Sequence, residues 1–441
     1  MRMPKSGYIV FVLAFALSGC DASALPRANS PVRPATISVH AASNAPQTTT
    51  MTHVANFEDI GQDGHRTKVS WPAISPYLTS DEPNSPAQSN EAAAAGERVG
   101  WYSDVAILRA SDALFTTDET TFAHDCGGNR ITSSYEGQTV YLTDPHSTHL
   151  LRLWIAQARN AIEQNGYHAD YVDADSVDDL RKFVARPCNN SAHTGFDDSE
   201  WAHATAQMYA SFEQRTGLAI LANALYTPSP NGGHRISPGI AIAPFVWGEM
   251  TEECYADTDG SGVNPGPGES MWVAQENAEI AIMATGKNWF CSGDYENGTN
   301  SAAAIPERMY QLASFLLTYK PGQAYLKQPW VTGSNFRQNK ETHLVALDPV
   351  MPQPTDVSNL MTSSGLYARE YGACYISGVL AGPCVAIVNP SKSAALARGY
   401  AGYTHTLAVT GTDPFDGGTI RTDGPSAPTL LPPVSAYILF P

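Results

Sequence analysis

The stretch Asn165-Gly166-Tyr167-His168-Ala169-Asp170-Tyr171-Val172-Asp173-Ala174-Asp175 sets the reading of this chain. Upstream of it, Leu150, Leu153, Trp154, Ala158, Ala161 and Ile162 recur at helical spacing on one face between His149 and Asn165. The pattern stops at Gly166, a residue type that turns the chain out of a helix through the left-handed conformation. A short apolar strand follows and runs directly into carboxylates. In a parallel sheet, the C-terminal end of a strand is where side chains leave the core and can meet a ligand.

The order helix, Gly, strand, polar residue occurs four times. Ala92 to Gly96 closes a short helix ahead of Val99-Gly100-Trp101-Tyr102-Ser103-Asp104. The opening stretch is the second unit. Trp201 to Thr216 is an amphipathic helix that stops at Gly217, before Leu218 to Asn223. Ala274 to Thr285 stops at Gly286, before Asn288 to Asp294. The polar residues at the strand ends are Asp104, Asp173, Asn223 and Asp294. Alternating helices and strands imply βαβ units and a parallel sheet, either a closed barrel or an open doubly wound sheet. No Gly-rich phosphate fingerprint follows the first strand, and polar residues end several strands, which favours the barrel. The expected fold class is therefore α/β, a (β/α)8 barrel of the TIM type over residues 51–360. The apolar run Ile240 to Trp247 is expected to be a further buried strand. Beyond residue 360 short β-type segments alternate with Gly and Pro, and residues 361–441 are expected to form a small antiparallel β domain.

Residues 1–20 have the layout of a bacterial lipoprotein signal. Arg2 and Lys5 precede an apolar core from Tyr8 to Leu17, and Leu17-Ser18-Gly19-Cys20 matches a lipobox. Acylation of Cys20 would tether the protein to a membrane, and residues 21–50, rich in Ala, Ser, Pro and Thr, suit a disordered tether. Seven cysteines less the lipidated one leave six, an even number that fits disulfides in an exported protein. The expected pairs are Cys374–Cys384, Cys254–Cys291 and Cys126–Cys188. A formal charge of −17 argues against a nucleic-acid partner, which needs a basic footprint.

Two acidic clusters carry the chemistry. One is Asp170, Asp173 and Asp175. The other follows Trp247 as Gly248-Glu249-Met250-Thr251-Glu252-Glu253. Glycoside hydrolysis needs two carboxyl groups flanking one bond, and a barrel mouth can supply them from different strands. Other chemistries are unsupported: the chain has no Gly-x-Ser-x-Gly elbow and no His-Glu-x-x-His motif. Asp257-Thr258-Asp259-Gly260 resembles the start of a calcium loop, but Gly268 stands where the bidentate Glu belongs. No metal and no cofactor are expected.

The segment Gly166 to Asp173 resembles, in length and in its final Asp, the Gly-aromatic-Asp-Gly-Val-Phe-Leu-Asp segment of a bacterial glycoside-hydrolase-like barrel family akin to endo-α-1,4-polygalactosaminidases. His168 and Ala169 replace that family's Asp-Gly. Asn223 and the spacing Gly248 to Glu252 are similar to the family's next two strands, and Arg369-Glu370-Tyr371 and Val388-Asn389-Pro390 resemble its closing strands. The resemblance implies a barrel with Asp173 and Glu252 as the catalytic carboxylates, Glu253 and Glu249 being the fallbacks. It also implies that Tyr102, Asp104 and Asp144 line the mouth. Asp175 and Asn223 are expected to touch substrate, and Trp101, Tyr102 and Trp247 to face sugar rings. The expected protein is a monomeric, lipid-anchored hydrolase of a cell-surface or extracellular polysaccharide. The alternative is a non-catalytic lipoprotein that binds glycan or assists polysaccharide assembly, since fold alone does not confer activity.

Overall fold

Strands alternate with helices from Arg98 onward as the helix–Gly–strand pattern predicts, and they assemble into a parallel sheet. The computed structural model describes residues 57–58, 80–81, 83, 85–135, 137–175, 187–189, 194–223, 226–228, 234–236, 238–251, 254–255, 268–292, 305–327, 331–332, 335–336, 340–397, 400, 402–410 and 419–441. Cys20, the signal and tether, Glu252, Glu253 and the Asp257 loop lie outside the described residues.

The chain enters through β1 (Phe57–Glu58), β2 (Ser80–Asp81), α1 (Pro86–Ala95) and β3 (Arg98–Asp104). A three-stranded antiparallel insertion follows, made of β4 (Ile107–Arg109), β5 (Thr132–Tyr135) and β6 (Gln138–Leu142). Then come α2 (Thr148–Arg159), β7 (Tyr171–Asp175), α3 (Asp198–Thr216), β8 (Ala219–Asn223), β9 (Gly248–Thr251), α4 (Glu269–Ala284), β10 (Asn288–Ser292), α5 (Ile305–Thr318) and β11 (Ala324–Lys327). One eight-stranded sheet runs β1-β2-β3-β7-β8-β9-β10-β11 with every pairing parallel. Its edges approach each other, for β1 touches β11.

Local chemistry accounts for the helix ends. Ser147 accepts a hydrogen bond from the Leu150 amide at 3.1 Å and starts α2. Asp197 and Glu200 form a reciprocal capping box on α3, which Gly217 ends at φ 77°. Gly166 (φ 73°) and Gly286 (φ 82°) occupy the same left-handed region. The apolar faces of α2 and α3 meet at Trp154 and Phe212, stacked with ring centroids 3.8 Å apart. The Trp154 indole also donates to Ser103 Oγ at 3.0 Å, locking α2 to β3.

One expected strand is displaced. Ile240 to Trp247 takes in the end of one 3-10 turn, Pro238–Ala241, and the whole of another, Ala243–Phe245, and the strand is Gly248–Thr251. Pro244 has no N–H to give to a ladder, so this segment cannot serve as a central strand.

The second sheet is antiparallel and five-stranded. It comprises β12 (Leu344–Pro349), β13 (Tyr367–Ile376), β14 (Val379–Asn389), β15 (His405–Thr406) and β16 (Ser435–Phe440), in the order β12-β13-β14-β16-β15. It begins at Leu344, ahead of the expected boundary at residue 361. It shares one hydrophobic core with α4, α5, β10 and β11, from Trp272 and Phe315 to Val388 and Ile438. The described residues accordingly fall in one compact unit. The three disulfides pair as expected, Cys126–Cys188, Cys254–Cys291 and Cys374–Cys384.

Candidate active site

The two faces of the parallel sheet are distinguished by what they pack against. Val172, Ala174, Ile220 and Ala222 join Leu150, Trp154, Tyr209 and Phe212 of α2 and α3, so this is the helix-facing side. Tyr171, Ala219, Leu221, Met250, Phe290 and Tyr325 form a separate inner cluster with Trp247. Successive strand residues alternate between these faces. Asp173 therefore lies on the inner face, two residues after Tyr171, and is 2% exposed.

Register places its neighbours. Tyr102, Asp173, Leu221 and Gly248 are aligned across β3, β7, β8 and β9. Asp104, the Asp175 backbone, Asn223 and Met250 form the next row toward the C-terminal ends. A Cβ at Gly248 would come within 3.2 Å of the Asn288 Cβ and carbonyl oxygen, a tight approach. Asp170 has a different task. It sits before β7, and its Oδ2 accepts from the Val99 amide at 2.9 Å, tying the starts of β3 and β7 together.

Asp144 lies outside the sheet, in the turn that precedes α2. Because α2 leads down to the start of β7, its N-terminus belongs to the end of the sheet where the strands finish. Asp144 accepts from the His146 amide at 2.9 Å, and the His146 ring nitrogen lies 2.8 Å from the same oxygen. That hydrogen bond raises the His146 pKa above its usual 6.5, against the opposing effect of partial burial. The His146 ring stacks on Phe196 at 5.0 Å and meets Trp201 edge-on at 6.1 Å, which joins the N-termini of α2 and α3.

Several expected positions differ. Trp101 faces the helices, not the mouth, and packs with Val99, Tyr167 and Ala169. Its neighbour Tyr102 takes the inner face because side chains alternate. Trp247 is on the inner side but at the wrong end, immediately before β9. There it contacts Tyr171 at 5.1 Å and Phe290 at 5.3 Å, under the Arg98 guanidinium at 4.1 Å. Glu249 is fully buried on the helix-facing side, in register with Trp289. It points there because Gly248, aligned with Leu221, holds the inner-face position and the next residue takes the opposite face.

Two inner-face residues are additions to the sequence reading. Ser292 and Lys327, 4% and 8% exposed, are aligned at the C-terminal ends of β10 and β11. Their predecessors Cys291 and Leu326 belong to the core shared with the second sheet, which puts Ser292 and Lys327 on the opposite, inner face. The signal was present in part. Gly322 (φ 78°) follows α5 and precedes Ala324-Tyr325-Leu326-Lys327, the same helix–Gly–strand–polar order on a four-residue strand.

No family model and no curated protein matches this chain. Solved structures that resemble it include glycoside hydrolases. An α-galactosidase from Thermus thermophilus is 12% identical at a TM-score of 0.41, over 64% of this chain and 59% of that one. The glycoside hydrolase domain of PelA from Pseudomonas aeruginosa is 12% identical at 0.39, over 63% and 95%. An α-N-acetylgalactosaminidase from Bifidobacterium bifidum is 12% identical at 0.34, over 55% and 34%. The chain thus spans little more than half of the Thermus enzyme, and likeness of this extent carries no argument about activity.

Proposed function

We propose that this protein is a glycoside hydrolase that acts on a cell-surface or extracellular polysaccharide, with Asp173 and Glu252 as its carboxylate pair. The observation that carries the reading is a buried Asp173 on the inner face of a parallel sheet. It lies one row below the polar ends Asp104 and Asn223, with Tyr102 beside it. Glu252 follows the last residue of β9 directly in sequence, and β9 is two strands from β7. Glu253 is the substitute for Glu252. In the proposed reaction one carboxyl group protonates the glycosidic oxygen as the C–O bond breaks. The other carboxylate attacks the anomeric carbon, or deprotonates the water that does so. Tyr102, Asp104, Asp144, Asp175 and Asn223 would hold sugar hydroxyls around that bond. The lipobox supports export and anchoring through acyl chains on Cys20 to a bacterial membrane.

The test is a screen against amino-sugar and neutral polysaccharides, followed by Asp173→Asn on any substrate found. The exchange is nearly isosteric, so hydrolysis is expected to vanish with the melting temperature almost unchanged. An Asp173→Asn protein that retained full activity would remove Asp173 from the mechanism. Polysaccharide binding without hydrolysis by the unmodified protein would favour the glycan-binding alternative.

A further inference from the structure

The outer flank of α2 and α3 carries a groove of about 650 Å³ that the proposed hydrolysis does not use. Arg152, Arg159 and Arg215 line it, with the polar side chains of Asn160 and Gln164 and an apolar floor at Ile155. The C-terminal halves of both helices lead to the starts of β7 and β8. Apart from Arg152, the lining therefore lies toward the end of the sheet opposite to the strand ends that follow Asp173.

Three guanidiniums in one groove run against the composition, which has 43 acidic and 26 basic residues. Among the described residues, no carboxylate lies within ion-pairing distance of any of the three. Glu163, the single acidic side chain in the lining, is among those that form no such pair. The hydrogen bonds made by these guanidiniums are few. Arg152 reaches the His149 ring at 2.7 Å, and Arg159 donates to the Arg215 carbonyl at 3.3 Å. Most of their donors are left for another partner. Helix dipoles account for Arg159 and Arg215, which sit at helix C-termini, while Arg152 in the N-terminal half of α2 lies in the field of Asp118, whose carboxylate is 3.0 Å from the His149 ring. Beyond Arg159 the helix widens into a π turn over Asn160–Gln164, a distortion that recurs at functional sites.

We infer that this groove binds a phosphate group, through Arg152 and Arg215 with Arg159 and Asn160 beside them. Three positive charges face the single carboxylate of the lining, Glu163, and at Arg152 the nearby Asp118, which leaves a net positive groove that suits an anion. Phosphate has oxygens enough to accept paired hydrogen bonds from more than one planar fork. The phosphate is either a free ester or the headgroup of a phospholipid.

The experiment titrates the full chain with glycerol phosphate by calorimetry, and measures co-sedimentation with phosphatidic acid vesicles against phosphatidylcholine vesicles. The Arg152→Gln/Arg215→Gln double variant is compared with Arg421→Gln, which removes an exposed charge elsewhere. Arg159 is left in place because it caps α3. Binding in either arm that weakens about ten-fold or more in the double variant, and not in Arg421→Gln, supports the site. The arm that responds identifies the source of the phosphate. Absence of binding in both arms, or equal binding by the double variant and the control, overturns it.

Discussion

At the scale of single residues, neighbouring carboxylates differ by environment and not by type. Asp173 is buried on the inner face, Asp170 is spent on the Val99 amide, and Asp144 holds His146. The last pair is testable directly. The Asp144 hydrogen bond favours the charged imidazole, so the pair's contribution to stability is present below the usual histidine value of 6.5. It is lost as pH rises through the raised folded value. An NMR titration should place His146 above 6.5, and Asp144→Asn should lower it. An unchanged titration midpoint in the variant would show that Asp144 does not set it.

At the scale of elements, α4 carries an unusual burden. Glu276 and Glu279 are both fully buried, facing Tyr255 from the segment after β9, Tyr310 and Thr318 from α5, and Arg369 and Tyr371 from β13. Tyr255 and Thr318 donate to Glu279 Oε2 at 2.6 and 3.1 Å. Burial pushes both carboxyl groups well above the usual 4.5, and their mutual repulsion raises Glu276 further. The folded chain then holds protons that the unfolded chain releases, so stability falls as pH rises from about 4.5 toward the raised values. The slope is up to about 1.4 kcal/mol per pH unit for each proton retained. Glu276→Gln removes one such proton. Its melting temperature should gain on the parent's as pH rises from acid to alkaline, and a constant difference across pH would refute the linkage. A second element-scale expectation concerns α3. Asp197→Ala deletes its capping box and should cost about 1 kcal/mol in denaturant unfolding, with no change in the slope against denaturant.

At the scale of the whole molecule, the two sheets share α5. Every residue from Arg308 to Thr318 is buried, because the helix sits against the parallel sheet's core on one side and β14 and β16 on the other. A helix covered all round is an interior element. Arg369 reinforces the junction by donating from β13 to the carbonyls of Leu317 and Tyr319 at 2.9 and 3.1 Å. A chain truncated before Leu344 would leave that surface bare. It is expected to lose cooperative thermal unfolding by circular dichroism, and a sharp, independent transition in the truncated protein would contradict a shared core.

The sequence by itself determined the alternation of helix and strand and the position of Asp173 near a strand end. Gly after a helix, apolar periodicity and a strand running into carboxylates are local signals. It did not determine which way residues near a strand end face. A face depends on the register with neighbouring strands, and alignment with Trp289 carries Glu249 to the helix side. Nor could it separate Trp101 from Tyr102, which differ only in parity, or reveal Lys327 on a strand too short to show a pattern. The rows that align Asp173 with Tyr102 and Gly248 join residues far apart in sequence. Only the tertiary structure decides them, because register is set by packing across strands and not along one.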